Sequence, residues 1–369
     1  MIIKLNTSKI FLVLFFLGLL TSCEFNEKKK IANKLEISNL ASTKFKIPGT
    51  EFEYDFKRKF KVIKKLYQSD DFENLRHFQI NAFSNKKSFY FTNTSLGMVS
   101  QYGSDFKPIK NYGNKGEGPK EFSQPNKVYV EKDYLLVHDF TQRAIKKVDL
   151  KDSNITNYSL KNHFYSPAFL KNNKVLLRWA DTSFDNNSEN LFFEVFDFVN
   201  GVSIKKIEIN KKLNIPPAQF INKVYEGDFV QNNDYSVYFS YATGVLFIFN
   251  NNTLDFTGKI QTIDKTPPPK ASFIELGGGM KGLVNNPSFQ PFKGAVIDSQ
   301  NNLFLLNQIT NDKNLSIIDV YSIDDKKYIY SLKVPDLNDG QKARKIFKIG
   351  NIIIVYFDDQ SIASYEFEN

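Results

Sequence analysis

Short apolar runs separated by turn residues recur along most of this chain. The clearest stretch is Gly113 to Leu150, GNKGEGPKEFSQPNKVYVEKDYLLVHDFTQRAIKKVDL. Gly116, Gly118 and Pro119 make a turn: two residues free to take positive φ, then one with φ fixed. Pro125 opens a strand in which Val128 and Val130 alternate with polar neighbours, as on a half-buried strand. Asp133 turns the chain, Tyr134 to Val137 form an apolar run that Asp139 closes, and Ala144 to Leu150 alternates again through Ile145, Val148 and Leu150. Strand, turn, strand, turn, strand at this pitch predicts an antiparallel meander.

The same rhythm recurs less sharply elsewhere. Arg76 to Tyr112 carries HFQINAF, SFYFTNT, MVSQYG and KPIKNY; Pro125 to Lys161 follows; Tyr165 to Ile209 carries SPAFLK, KVLLRWA, LFFEVFDF and VSIKKIEI, with an Asn-rich excursion from Asp181 to Asn190. Gly227 to Thr262 and Phe292 to Val334 repeat the pattern, and Ala343 to Phe367 supplies three strands before the sequence ends. Phe56 to Tyr67 (FKRKFKVIKKLY) reads as a strand with Phe60, Val62 and Leu66 facing in, and as such it provides the missing fourth. A basic amphipathic helix is the other reading of that segment. Six four-stranded units spaced ~40–50 residues apart predict an all-β fold, a six-bladed β-propeller of antiparallel blades closed by an N-terminal strand that hides the sheet edges. A twin β-sandwich is the structural alternative.

Ile263 to Pro291 breaks the rhythm. It holds Pro267-Pro268-Pro269 and Gly277-Gly278-Gly279 and is too long for an ordinary turn. It is expected to be a loop, with Gly277, Gly278, Gly279, Met280 and Lys281, that covers one face near the central channel.

The sharp stretch also carries a resemblance. Gly116, Gly118, Pro119, Glu121 and Phe122, then Pro125, Val137 and Asp139, then Arg143 and Ile145, resemble a blade of the NHL-like propellers. The GxGPxEF form is similar to that of the six-bladed, TolB-like propeller lipoproteins of bacteria. The motif covers about one blade, and rhythm alone matches the others. The resemblance implies architecture and a structural turn at these residues; it names no ligand.

The N-terminus changes the picture by adding an address. Lys4 and Lys9 precede an apolar run, Ile10 to Leu20, that is shorter than the ~20 residues a bilayer span needs. Leu20-Thr21-Ser22-Cys23 resembles a bacterial lipobox, which implies cleavage before Cys23 and acylation of that cysteine; an ordinary cleaved signal with a chance cysteine is the alternative. Two or three acyl chains anchor stably at ~0.8 kcal/mol per buried CH₂. The expected organisation is a signal peptide over 1–22, a polar tether over 23–50 and the propeller over 51–369. Lys28-Lys29-Lys30 in the tether reads as a solvated run or as a contact for anionic headgroups. The expected place is the cell envelope, at the outer membrane or cell surface rather than the inner membrane.

Cys23 is the single cysteine, so with it acylated the folded part has no thiol for a disulfide, a nucleophile or a cysteine metal site. The net charge is +9, from 49 basic and 40 acidic residues, and removal of residues 1–22 takes two lysines and leaves 47 − 40 = +7. That balance suits acidic glycans or lipid headgroups, or simply a solvated surface; an exported lipoprotein meets little nucleic acid, and none is expected as a partner.

No catalytic constellation stands out. Gly277-Gly278-Gly279-Met280-Lys281-Gly282 spells GxGxxG, yet Pro287 and Pro291 follow where a dinucleotide site needs a helix. Gly113 to Lys120 mimics a P-loop but has Gly118-Pro119-Lys120 where Gly-Lys-Ser/Thr belongs. Glu121 is expected to cap that turn or pair with a base. His77, His138 and His163 fall in different units without metal-ligand spacing. Asp70-Asp71, Asp324-Asp325 and Asp358-Asp359 sit at predicted turns. The expected function is therefore a lipid-anchored, non-catalytic module that binds an envelope protein or a small ligand, with no cofactor assigned. Two alternatives stay open: a hydrolase or lyase with axial Ca²⁺ or Zn²⁺ held by Glu, Asn and Asp, as in propellers of the regucalcin and gluconolactonase type, and a glycan-binding lipoprotein using aromatics such as Trp179.

Overall fold

The run Leu303-Phe304-Leu305-Leu306 shows how the architecture is built. Leu303 and Leu305 enter one core with Val237, Phe239, Leu246 and Ile248. Phe304 and Leu306 point the other way, into a core with Ile346, Ile353 and Val355. A strand buried on both faces reads as a continuous apolar run, and its period of two divides it between neighbours. The same division repeats around the molecule, so each adjacent pair of sheets encloses its own core.

This is a six-bladed β-propeller. The computed structural model describes residues 40–47, 50–69, 82–84, 88–103, 107–179, 190–213, 215, 220–310, 312, 315–335, 341–359 and 361–367. Blade 1 comprises Ala82–Ser84, Ser88–Asn93, Met98–Gly103 and Pro108–Tyr112; blade 2, Pro125–Val130, Tyr134–Asp139, Ala144–Asp149 and Ile155–Ser159. Blade 3 comprises Ala168–Leu170, Lys174–Leu177, Phe192–Asp197 and Val202–Glu208; blade 4, Gly227–Gln231, Tyr235–Ser240, Val245–Asn250 and Asp255–Gln261. Blade 5 comprises Phe292–Ile297, Asn302–Asn307, Leu315–Ser322 and Lys327–Pro335. Blade 6 takes Ala343–Ile349, Ile352–Phe357 and Ile362–Phe367 from the C-terminus and Ile63–Ser69 from the N-terminal part, paired antiparallel to Ile362–Phe367. The first strand of each blade is the inner one, so the described linkers enter the inner strands at one end of the axis. Cys23 and His77 lie outside the described residues.

The closure differs from the expected one in detail. Phe56 to Tyr67 is two strands, not one: Glu53–Lys61 touches the outer strand of blade 5 in parallel at Phe60 and Lys61, and Ile63–Ser69 closes blade 6. Val62 stands between them at 85% exposure, and Leu66 is also exposed, so neither faces in. The inward residues are Tyr54 and Arg58. Leu40–Lys46, within the stretch expected as a tether, pairs with Glu53–Lys61 and extends the blade 5 sheet to six strands.

Arg58 explains the shift. Its guanidinium is 0% exposed and grips Asp319 with two parallel bonds, Nε to Oδ1 at 2.9 Å and Nη2 to Oδ2 at 3.1 Å. Nη1 donates to the Ile309 carbonyl at 2.7 Å and to Thr43 Oγ1 at 3.3 Å. Asp319 also accepts from Asn307 Nδ2 at 2.8 Å and Ser331 Oγ at 2.6 Å. A residue that sequence pattern assigns to solvent is thus buried because its fork is fully matched.

The segment from 263 to 291, expected as a loop, contains a hairpin. Lys270–Gly277 pairs with Met280–Asn286 about a turn in which Gly277, Gly278 and Gly279 all have positive φ. It leans on the short helix Ile221–Val224 in the linker between blades 3 and 4: Phe273 meets Phe220 edge-on at 5.0 Å, and Asn285 Nδ2 donates to the Lys223 carbonyl at 3.2 Å.

His138, on the second strand of blade 2, is fully buried and stacks on Phe164 at 4.2 Å. Neither ring nitrogen has a hydrogen-bond partner among the described residues. Burial first, then repulsion from Lys127, pushes its pKa down to about 3.

These contacts make two outcomes measurable. Arg58→Met is expected to cost about 3–5 kcal/mol in chemical denaturation, because Asp319 stays buried without its counter-ion; the double variant Arg58→Met/Asp319→Leu is expected to recover part of that loss. Equal losses in the two would contradict the account. For His138, the folded pKa lies below the unfolded one, so its contribution to stability is fully present above about pH 6.5. That contribution falls as the pH drops toward 3, by roughly 1.4 kcal/mol for each pH unit. His138→Phe should flatten that slope in pH-dependent unfolding; an unchanged slope would place the acid sensitivity elsewhere.

Candidate functional site

Three inner strands begin alike: Pro125-Asn126-Lys127, Phe292-Lys293-Gly294 and Ala343-Arg344-Lys345. Each carries a register shift against its neighbouring strand at the second of these residues. A β-bulge inserts one residue and re-aims the side chains around it. Here the inserted residues are Asn126, Lys293 and Arg344, and all three line one axial chamber at the end where the blade linkers collect. Gln124, Ser166, Glu226 and Gln290, from the linkers into blades 2, 3, 4 and 5, complete its polar wall. Phe140, Tyr165, Tyr241 and Tyr356 supply ring faces, and the chamber measures ≈ 480 Å³.

A second axial chamber of ≈ 330 Å³ opens toward the turns after the inner strands, with Val128, Phe169, Phe229, Ile297 and Phe347 in its wall. The two share Asp228 and Lys345. At this waist Lys127 of blade 2 reaches across to blade 4, its Nζ 3.0 Å from Asp228 Oδ1 and bonded also to the Phe229 carbonyl. Lys345 approaches from blade 6, so alternate blades supply the three charges.

Burial dominates the electrostatics. It lowers the pKa of Lys345; Asp228 opposes the shift, while Lys127, Arg344 and Lys293 reinforce it. Lys293 is lowered by burial, with Asp358 opposing and Arg344 reinforcing. Lys127 is lowered by burial against the pull of Asp228. Burial alone would raise the Asp228 carboxyl, but Lys127 and Lys345 outweigh it and hold it below its ordinary value. Tyr241 is pushed well above the usual phenol range by burial and by Asp228.

The residues singled out from sequence lie elsewhere and do structural work. Phe122 is fully buried, and a Cβ at Gly113, where φ is +76°, would stand 2.3 Å from its ring. Glu121 Oε2 accepts from the Gly118 amide at 2.9 Å, one of the two roles considered for it. Lys146 Nζ, itself buried, bonds to the carbonyls of Gly118 and Glu121. Asp139, 0% exposed, accepts the amides of Ser123 at 2.8 Å and Gln124 at 3.0 Å, which fixes the chain just before Pro125. Gly116 and Pro119 belong to the same turn. The motif thus joins blades 1 and 2, and its last contact delivers Gln124 to the chamber.

Gly277, Gly278, Gly279, Met280 and Lys281 form the exposed end of the hairpin, and no helix follows them. His163 Nδ1 lies 3.2 Å from the Phe140 carbonyl. Trp179 donates to Glu194 Oε2 at 2.6 Å and packs edge-on against Phe164 and Phe196. Among the described residues no group of three or more His, Cys, Asp and Glu side chains could hold a metal ion. Of the carboxylates in the walls of the two axial chambers, Asp228 bonds to Lys127, Glu226 to Lys223 and Asp298 to Lys348. No described helix is long and apolar enough to cross a membrane.

Sequence reasoning missed Lys127, Asp228, Lys293, Arg344 and Lys345. Their available signal was weak: two non-apolar residues in succession at the start of an otherwise alternating inner strand.

No protein-family model matches the chain, and no curated protein matches it. Solved structures do. A member of the duf4221 family from Bacteroides vulgatus is 13% identical over 89% of this chain and 98% of its own, with a TM-score of 0.54. Virginiamycin B lyase from Staphylococcus aureus is 13% identical over 83% and 99%, at 0.47, and BamB from Moraxella catarrhalis is 11% identical over 77% and 80%, at 0.38. At these identities the first likeness supports the propeller fold alone, and the other two carry no argument.

Proposed function

We propose that this chain is a lipid-anchored propeller of the bacterial cell envelope, akin to the TolB-like and NHL-like propeller lipoproteins, that works as a binding module and takes its ligand in the axial chamber at the linker end. The observation that carries this reading is the chamber itself. Its ≈ 480 Å³ falls within the ~300–1,000 Å³ of small-molecule sites, and side chains from five blades converge on it. The three bulges support it further, since bulges cluster where a strand must re-aim a side chain for function. Anchoring rests on the lipobox at Leu20 to Cys23 and on the apolar run before it.

Metabolic labelling with a palmitate analogue tests the anchor. Label and membrane fractionation are expected for the wild type and lost in Cys23→Ala; label retained in that variant would contradict acylation at this residue. Cross-linked capture from the native envelope tests the binding reading, with Gln290→Trp placing an indole in the chamber. The wild type is expected to retain a stoichiometric component that Gln290→Trp loses. Equal capture by both would move the site off the axis, and robust turnover of a small substrate by the purified domain would contradict a purely binding role.

A further inference from the structure

We infer that the axial chamber accepts a small organic anion bearing carboxylate or phosphate, seated between Lys293, Arg344 and Lys345. The inference rests on the binding reading above and gives it a ligand class. Both carboxylates in the chamber wall are already matched: Asp228 with Lys127 at 3.0 Å, and Glu226 with Lys223 at 2.5 Å. Lys293 and Lys345 line the same wall, and neither has a carboxylate within 4.0 Å among the described residues. Burying a cation is costly unless a counter-charge meets it. Here the bulges in blades 5 and 6 bring half-buried Lys293 and Lys345 along one side of the axis, with Arg344 between them in sequence, and concentrate that cost on the two lysines. An anion in the chamber would offset that cost with charge-assisted hydrogen bonds.

The geometry also fixes what sits around the anion. Arg344 offers a planar fork suited to a carboxylate or phosphate, while the lysines act as point charges. Tyr241 stays protonated at neutral pH, so its hydroxyl remains a donor there.

The test uses pyridoxal 5′-phosphate as a probe, whose aldehyde condenses with an unprotonated lysine amine, releases water, and is fixed by borohydride. Peptide mapping of the full chain is expected to find Lys293 or Lys345 labelled ahead of surface lysines, with citrate or glucose 6-phosphate suppressing the label and unphosphorylated glucose having no effect. Which of the two anions protects at lower concentration distinguishes carboxylate from phosphate. Lys345→Met and Lys293→Met should each weaken citrate or glucose 6-phosphate binding by about tenfold in calorimetry. Each should also melt no lower than the wild type, because it removes a half-buried charge that neighbouring cations repel. Labelling spread over surface lysines, or anion binding unchanged in both variants, would overturn the inference. A neutral sugar bound in the chamber and indifferent to Lys345→Met would overturn the anion assignment while leaving the axial binding reading intact; equal capture by Gln290→Trp would instead remove the reading on which it rests.

Discussion

The structure depends on closing a ring of sheets, none of which can bury its own faces alone. Every central strand serves two cores, as Leu303 to Leu306 does, so an open ring would expose two apolar faces. The seam between blades 5 and 6 is where N- and C-terminal parts of the chain meet. Two devices hold it. Ile63–Ser69 completes blade 6 by strand pairing, and Arg58 clamps the preceding strand onto blade 5 through Asp319. The second device is directional where hydrophobic packing is not. A bidentate guanidinium–carboxylate pair has one good geometry, so it fixes the register of the closing segment as well as its presence.

The axial chamber inherits that order. Its cations lie on the inner strands of blades 5 and 6, the blades joined at the seam, and Lys127 comes from across the channel. Displacement of either blade would separate Lys293 from Arg344 and Lys345. The axis therefore sets local electrostatic cost against the rigidity of the surrounding cores. The waist at Lys127, Asp228 and Lys345 shows the compromise: Asp228 pairs with Lys127 alone, Lys345 feels it only from a distance, and burial lowers the pKa of both lysines.

Much of the fold is legible in the sequence because it follows from period and turn chemistry. The blade 2 strands and the turn before them can be read from Gly113 to Leu150 without tertiary information. What escapes the pattern depends on partners distant in sequence. Arg58 looks solvent-facing until Asp319, 261 residues away, is brought to it. Val62 looks like a core residue until the strand divides at that point. The chamber is invisible for a related reason: a bulge changes which side of a strand a residue faces, and nothing in Phe292-Lys293-Gly294 or Ala343-Arg344-Lys345 announces one. The glycines of 277–279 advertise a motif and instead make a hairpin turn, since the glycine spacing alone does not distinguish a turn from a nucleotide loop.

The central claim, that the axis is the working site, is tested most directly by NMR of the protein carrying ¹³C-methylated lysines, a modification that keeps their charge. Titration with citrate is predicted to move the Lys293 and Lys345 resonances together along one saturating curve, while surface lysines such as Lys44 and Lys57 stay in place. Small shifts distributed over surface lysines, with the axial pair unmoved, would contradict the account.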